Sequence, residues 1–156
     1  MQSNADVTGL LKRGGVVKNV EGSTLEEIYG YIAERARLPD EVTPQVFAEE
    51  LLMRERVLST AVGNSLAIPH PRRTLIKNPD NERIIVCYLK NPLDMHAPDS
   101  FSVHTLFIVL SSSAHAHLEV LSSLAKLFRS RDFIRFLAMK PDSEQLIRKI
   151  EALKLL

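Results

Sequence analysis

His70 stands between two prolines in the run Gly63-Asn64-Ser65-Leu66-Ala67-Ile68-Pro69-His70-Pro71. Proline fixes its own φ and pushes the residue before it toward extended geometry. The imidazole is therefore carried on a stiff segment at the end of a short apolar run, with glycine and asparagine marking a tight turn upstream. Stiff support suits a reacting group, because a misplacement of about one ångström is costly to rate. Histidine is also the side chain that titrates nearest neutrality, so it can act as nucleophile, base or proton donor. Residue type alone does not separate these uses from a polar residue at a strand-to-loop junction. The surroundings have to do that.

Three features could collaborate with His70. Arg54, in Leu51-Leu52-Met53-Arg54-Glu55-Arg56, offers a planar guanidinium suited to phosphate. A cation at a helix end also suits the dipole, and composition does not choose between Arg54 and Arg56. His117 falls at the start of a helix, where free N–H groups and partial positive charge attract anions. His115 has a similar setting but is expected just before that helix. Ser59, Thr60 and Asn64 could hydrogen-bond the histidine or an incoming anion. Five histidines are present, and the pair His115-x-His117 could ligate zinc if extended. On a helix, however, residues two apart diverge, and no HExxH and no cysteine pair occur. No G-x-S-x-G elbow, Walker A loop or dinucleotide fingerprint is present either.

The elements that must hold these residues alternate in type. Val16 to Val20 reads as a first strand. Ser23 can cap a helix from Thr24 to about Arg37, with Glu26 as the third residue of a capping box. Thr43-Pro44 starts a second helix that runs to about Arg56. Strands follow over Leu66–Pro69, Arg83–Leu89 and Val103–Leu110, the last apolar enough to be buried on both faces. Asn91-Pro92-Leu93-Asp94 and Ala97-Pro98-Asp99-Ser100 bound a short excursion with hairpin character. A helix from about Ala116 to Arg129 places Leu118, Leu121, Ala125 and Phe128 on one stripe. Two further helices begin near Arg131 and Ser143. Helices flanking a central group of strands make the class α/β.

The chain has 156 residues, which suits one domain over 1–156. Its net charge of +1 leaves no electrostatic footprint for nucleic acid. The single cysteine, Cys87, sits in an apolar run and reads as a buried structural thiol. The N-terminal residues lack the pattern of a signal peptide, and no apolar run has the length of a membrane span, so direct membrane insertion is not expected and a cytoplasmic location is.

Taken in order, Leu51-Leu52-Met53-Arg54-Glu55, then Ser59-Thr60, then Gly63 to His70, resemble the signature of the type 2 enzyme IIA family. These are the mannitol/fructose-type and nitrogen-regulatory IIA domains of the bacterial phosphoenolpyruvate-dependent phosphotransferase system. Pro92-Leu93-Asp94 through Asp99 is similar to the family's middle segment. His117-Leu118 with Leu121-Ser122-Ser123-Leu124-Ala125 is similar to its second histidine and following helix. The resemblance covers the chain from about residue 10 to about residue 150. It implies a mixed β-sheet flanked by helices. It also implies that His70 accepts a phosphoryl group from an HPr-type phosphocarrier, with Arg54 and His117 beside it and no metal or other cofactor. In a transport version the group passes to a cysteine of a IIB domain and then to sugar; in a regulatory version the two forms bind a target protein differently. With no IIB, IIC or DNA-binding segment in these 156 residues, the nitrogen-regulatory branch is the expectation, with a free-standing sugar IIA protein as the alternative. The chain departs from the family in having Ser65-Leu66 where Gly-Ile is common, and Pro71 followed by Arg72-Arg73 where glycine is common. It also has Met95 and Ser100 where Trp and Gly are common. Arg72 and Arg73 read as solvated, or as contacts for an acidic partner.

Overall fold

The computed structural model describes residues 5–154. Five strands form one mixed sheet in the order β1-β4-β5-β3-β2. β1 is Val16–Val20, β2 Ala61–Gly63, β3 Leu66–Ala67, β4 Arg83–Leu93 and β5 Val103–Leu110. β1 runs parallel to β4, β4 antiparallel to β5, β5 parallel to β3, and β3 antiparallel to β2. The expected α/β class with a mixed sheet flanked by helices is the observed one.

The helices cover both faces. On one side lie α2 (Leu25–Arg35) and α3 (Pro44–Val57); on the other lie α1 (Val7–Gly14), α4 (Ala114–Leu127), α5 (Arg131–Ala138) and α6 (Ser143–Lys154). The central strands serve both layers by simple alternation. Ile85, Cys87 and Leu89 of β4, with Leu106, Ile108 and Leu110 of β5, pack under α2 and α3. Ile84, Val86, Tyr88, Phe107 and Val109 pack against the other helices. Cys87 is fully buried between β1 and β5, and burial pushes its thiol pKa far up. Among the described residues no helix is long and apolar enough to cross a membrane.

Several local expectations shift. The cap of α2 is Thr24, which accepts from Glu27 N, while the Glu27 carboxylate reaches back to Ser23 N and both hydroxyls. The capping box is thus one residue later than the Ser23–Glu26 reading. α2 ends at Arg35, because Ala36 turns extended. α4 begins at Ala114 with Ser113 as its cap, so His115 lies inside the helix rather than before it. Its buried residues are Val120 and Leu124, whereas Leu118, expected on the core stripe, is 65% exposed. α1 was not foreseen. The strand expected over Leu66–Pro69 is a two-residue ladder, continued by single bonds from Ile68 N to Thr60 O and from Val109 N to Pro69 O.

Candidate active site

The sheet topology decides where His70 can be. β3 and β5 are parallel neighbours, so their C-terminal ends lie on the same edge of the sheet. The chain leaving β3 carries Pro69-His70-Pro71, and the chain leaving β5 runs through Ser111 into α4. Two segments far apart in sequence therefore meet at the carboxyl ends of parallel strands, where open α/β sheets form their ligand crevices. The rings of His70 and His117 stand with centroids 4.4 Å apart, tilted by 56°. Both line a cleft of about 270 Å³, together with Arg54, Arg72, Arg73 and Ser111.

His70 is oriented by its own backbone. Its Nδ1 lies 3.0 Å from the carbonyl oxygen of Ile68. A neutral ring meets that oxygen only with Nδ1–H, which leaves the lone pair on Nε2. Burial depresses the pKa of His70, the Ile68 carbonyl opposes that, and the Arg54 charge adds to the depression. The pKa of His117 is pushed down to about 4 by burial first, then by His70 and Arg54. Both imidazoles are therefore neutral near pH 7 and act as lone-pair or N–H groups, not as cations.

The positive charge felt by both rings comes from Arg54. It sits in the last turn of α3, and its Nη1 donates to Leu58 O at 2.6 Å, which satisfies one carbonyl left open by the helix end. Arg56, two residues on, is exposed and does not line the cleft. Geometry thus separates the two arginines that composition could not.

Ser59, Thr60 and Asn64 lie outside the cleft lining. The Ser59 hydroxyl donates to Met95 O and accepts from Ala61 N. Thr60 gives its N–H to Glu55 Oε2 at 3.0 Å and its hydroxyl to Glu55 Oε1. Asn64 and Ser65 form the two-residue β2–β3 turn with φ of 55° and 65°, and Asn64 N donates to Asp99 Oδ2 at 2.8 Å. Two positive φ values are what a tight hairpin turn needs to match strand twist. The turn holds the segment that delivers His70.

Sequence reasoning passed over two carboxylates. Glu50 and Glu55 are buried on the inner face of α3, with Phe47 and Leu51. Glu55 also accepts from Tyr29 Oη at 3.1 Å. It thereby joins α2, the Arg54 end of α3 and Thr60, and Thr60 O in turn holds Ile68 N, next to the carbonyl that orients His70. The available signal was spacing: Glu50 is three residues after Phe47, and Glu55 four after Leu51, so both fall on the apolar stripe. Glu50 stands between Arg72 and Arg73, with Arg72 Nε 3.5 Å from Oε1 and Arg73 Nε 3.3 Å from Oε2. The two arginines are thus tied to a carboxylate rather than simply solvated.

The two histidines of the possible zinc pair do not converge. His115 Nε2 lies 2.5 Å from Glu119 Oε1, while His117 faces His70. Among the described residues no group of three or more His, Cys, Asp or Glu gathers as metal ligands would.

Comparison with known proteins gives the family. Residues 10–152 match the family described as phosphoenolpyruvate-dependent sugar phosphotransferase system, EIIA 2. A nitrogen regulatory protein of Pseudomonas aeruginosa is 32% identical over 140 residues, which cover 88% of this chain and 89% of that one. The fructose-specific EIIABC component of Bacillus subtilis is 28% identical over 147 residues, 90% of this chain but 22% of that longer protein. Among solved structures, the nitrogen regulatory protein IIA-Ntr of Neisseria meningitidis superposes with a TM-score of 0.67 at 28% identity, over 85% of this chain and 90% of that one. A family match across nearly the whole chain, and a relative of this identity and coverage, show that the chain belongs to the type 2 EIIA family of the phosphotransferase system.

Proposed function

We propose that this chain is a phosphohistidine carrier whose acceptor atom is Nε2 of His70, and that its use is regulatory, as in the nitrogen-regulatory branch. The observation that carries this is the pairing of a backbone-anchored Nδ1 with a free Nε2 in a cleft containing one partner imidazole and Arg54. The donor would be the phosphohistidine of an HPr-type phosphocarrier. Its P–N bond breaks as the P–Nε2 bond of His70 forms, and the donor imidazole leaves with the electron pair. Charge spreads over three phosphoryl oxygens, so the site's work is positioning and electrostatic stabilisation. Arg54 supplies the full positive charge. His117, held neutral, supplies a directed N–H, and the first amides of α4 add partial charge behind it.

The Ile68 carbonyl has a second task in this scheme. It keeps Nδ1 protonated after transfer, so the ring becomes an imidazolium when Nε2 takes the phosphoryl group. A neutral imidazole is then the leaving group in the next transfer, which keeps the bound group easy to pass on. Arg54 and His117 are the direct partners of the phosphoryl group, while Ser59, Thr60 and Asn64 brace the loop that presents His70. The regulatory use is supported by the identity to a nitrogen regulatory protein over most of both chains. The identity to one portion of a fructose-specific EIIABC component supports a second reading, in which a IIB domain receives the phosphoryl group for sugar transport. Either use belongs in the cytoplasm.

Incubation with phosphoenolpyruvate, enzyme I and an HPr-type carrier should add one acid-labile phosphoryl group by intact mass. The His70→Ala variant should gain none. A wild-type protein that stays unmodified with several such carriers overturns the reading, and labelling that survives His70→Ala moves the acceptor elsewhere.

A further inference from the structure

The cleft beside His70 holds more cationic side chains than an acceptor histidine with one arginine requires. Arg54, Arg72 and Arg73 all line it, and among the described residues no carboxylate does. Arg72 and Arg73 share a single anion, Glu50, through contacts of 3.5 and 3.3 Å. Among the described residues the buried Glu50 Oε1 has no hydrogen-bond partner, so these are loose contacts rather than a forked pair. The two guanidinium side chains are 50% and 58% exposed, while that of Glu50 is 9% exposed. Two flexible cations therefore attend one fixed, buried carboxylate. If one arginine leaves, the other still neutralises Glu50, and no buried charge is stranded. Ser111, whose buried Oγ also has no hydrogen-bond partner among the described residues, lines the same cleft.

We infer that Arg72 and Arg73 supply a second cationic contact for the phosphoryl group: both are held on Glu50 while His70 is bare, and one of them is exchanged onto the phosphoryl oxygens once His70 is loaded while the other stays on Glu50; this rests on the phosphoryl-carrier reading. A phosphoryl group carries nearly two negative charges and three acceptor oxygens, against one charge on the carboxylate. Arginine's planar fork matches that geometry. The backbone keeps the exchange local, because Arg72 N donates to Glu50 O at 3.1 Å and tethers the loop to α3. These two residues occupy positions just after the acceptor, where they can respond to its state without moving a helix.

The test uses phosphoramidate, a donor with no protein surface, so docking plays no part. Its P–N bond breaks, the zwitterion's amine departs as ammonia, and the phosphoryl group joins Nε2 of His70. Incorporation is followed by intact mass, and the arginine side-chain nitrogen resonances are followed by NMR. Loading of the wild type should shift the Nε resonance of Arg72 or Arg73. The paired substitution Arg72→Gln with Arg73→Gln should lower the initial rate of incorporation about threefold to tenfold, less so at high salt. Glu50→Gln, which frees both arginines, should not lower it, and Arg56→Gln should leave it unchanged. Loaded wild-type protein with unmoved Arg72 and Arg73 resonances, or an unaltered rate in the paired variant, overturns the inference and leaves the carrier reading standing. A paired variant that reacts normally with phosphoramidate but slowly with a protein donor assigns the arginines to docking and likewise overturns it. Failure of the wild type to take up phosphate from either donor overturns the carrier reading itself.

Discussion

A histidine that is to receive a phosphoryl group has to be neutral when the donor arrives, and in this protein two imidazoles are kept so together. Burial is the leading cause for both, and Arg54 adds to it for both. The sign of the consequence follows from linkage. Between about pH 6.5 and about pH 4 the unfolded chain binds a proton on His117 that the folded chain refuses. Stability from this group is therefore fully present above the unfolded pKa and is lost as pH falls toward the folded one. For His117 the loss is about 2 kcal/mol, reduced for its partial exposure. Chemical denaturation at pH 7 and pH 4.5 should show a smaller pH gap in His117→Asn than in wild type. Equal gaps would remove His117 as the source. His70, His117 and Arg54 could be picked out of the sequence because their types are distinctive and their order resembles a family. Glu55 could not, because a charged residue on a helix reads as solvated unless its phase on the apolar stripe is checked. Its burial becomes intelligible only once Tyr29 and Thr60 are seen converging on the carboxylate.

At the scale of elements, strong local signals translated directly. Thr43-Pro44 starts α3, and the unbroken apolar run makes β5 a central strand. What failed were phases and short pieces. Leu118 points to solvent because α4 starts at Ala114, which sets Val120 and Leu124 inward. α1 is hard to read in the sequence because its eight residues include Gly9 and Gly14, which read as breakers. The structure shows why Gly14 is there: a Cβ would fall 1.8 Å from the carbonyl oxygen of Ile84. α1 can lie against β4 only without that atom. Gly14→Ala should therefore destabilise the fold by about 3 kcal/mol, because backbone must move to admit it. A thermal melt would then fall by roughly 6 to 12 °C, from about 2–4 °C per kcal/mol at this size. A melting temperature equal to wild type would show that α1 can shift without loss.

For the whole molecule, neither strand order nor direction was legible, since pairing is settled by contacts between distant segments. That order is nonetheless what brings His70 and His117 together, through two parallel strands ending on one edge. It also seals Cys87 in the middle of the sheet, flanked by β1 and β5 and fully covered. The lone thiol is thereby a built-in clock. An alkylating reagent needs the thiolate in water, so it can react only with molecules that have opened across the central strands. In native buffer its rate should be far below that of a free thiol and should rise with urea in step with global unfolding. Fast alkylation without urea would show that the sheet opens locally. The same burial leaves the thiol indifferent to mild oxidants, so the state of the protein should be written by the phosphoryl group on its histidine and not by a thiol switch.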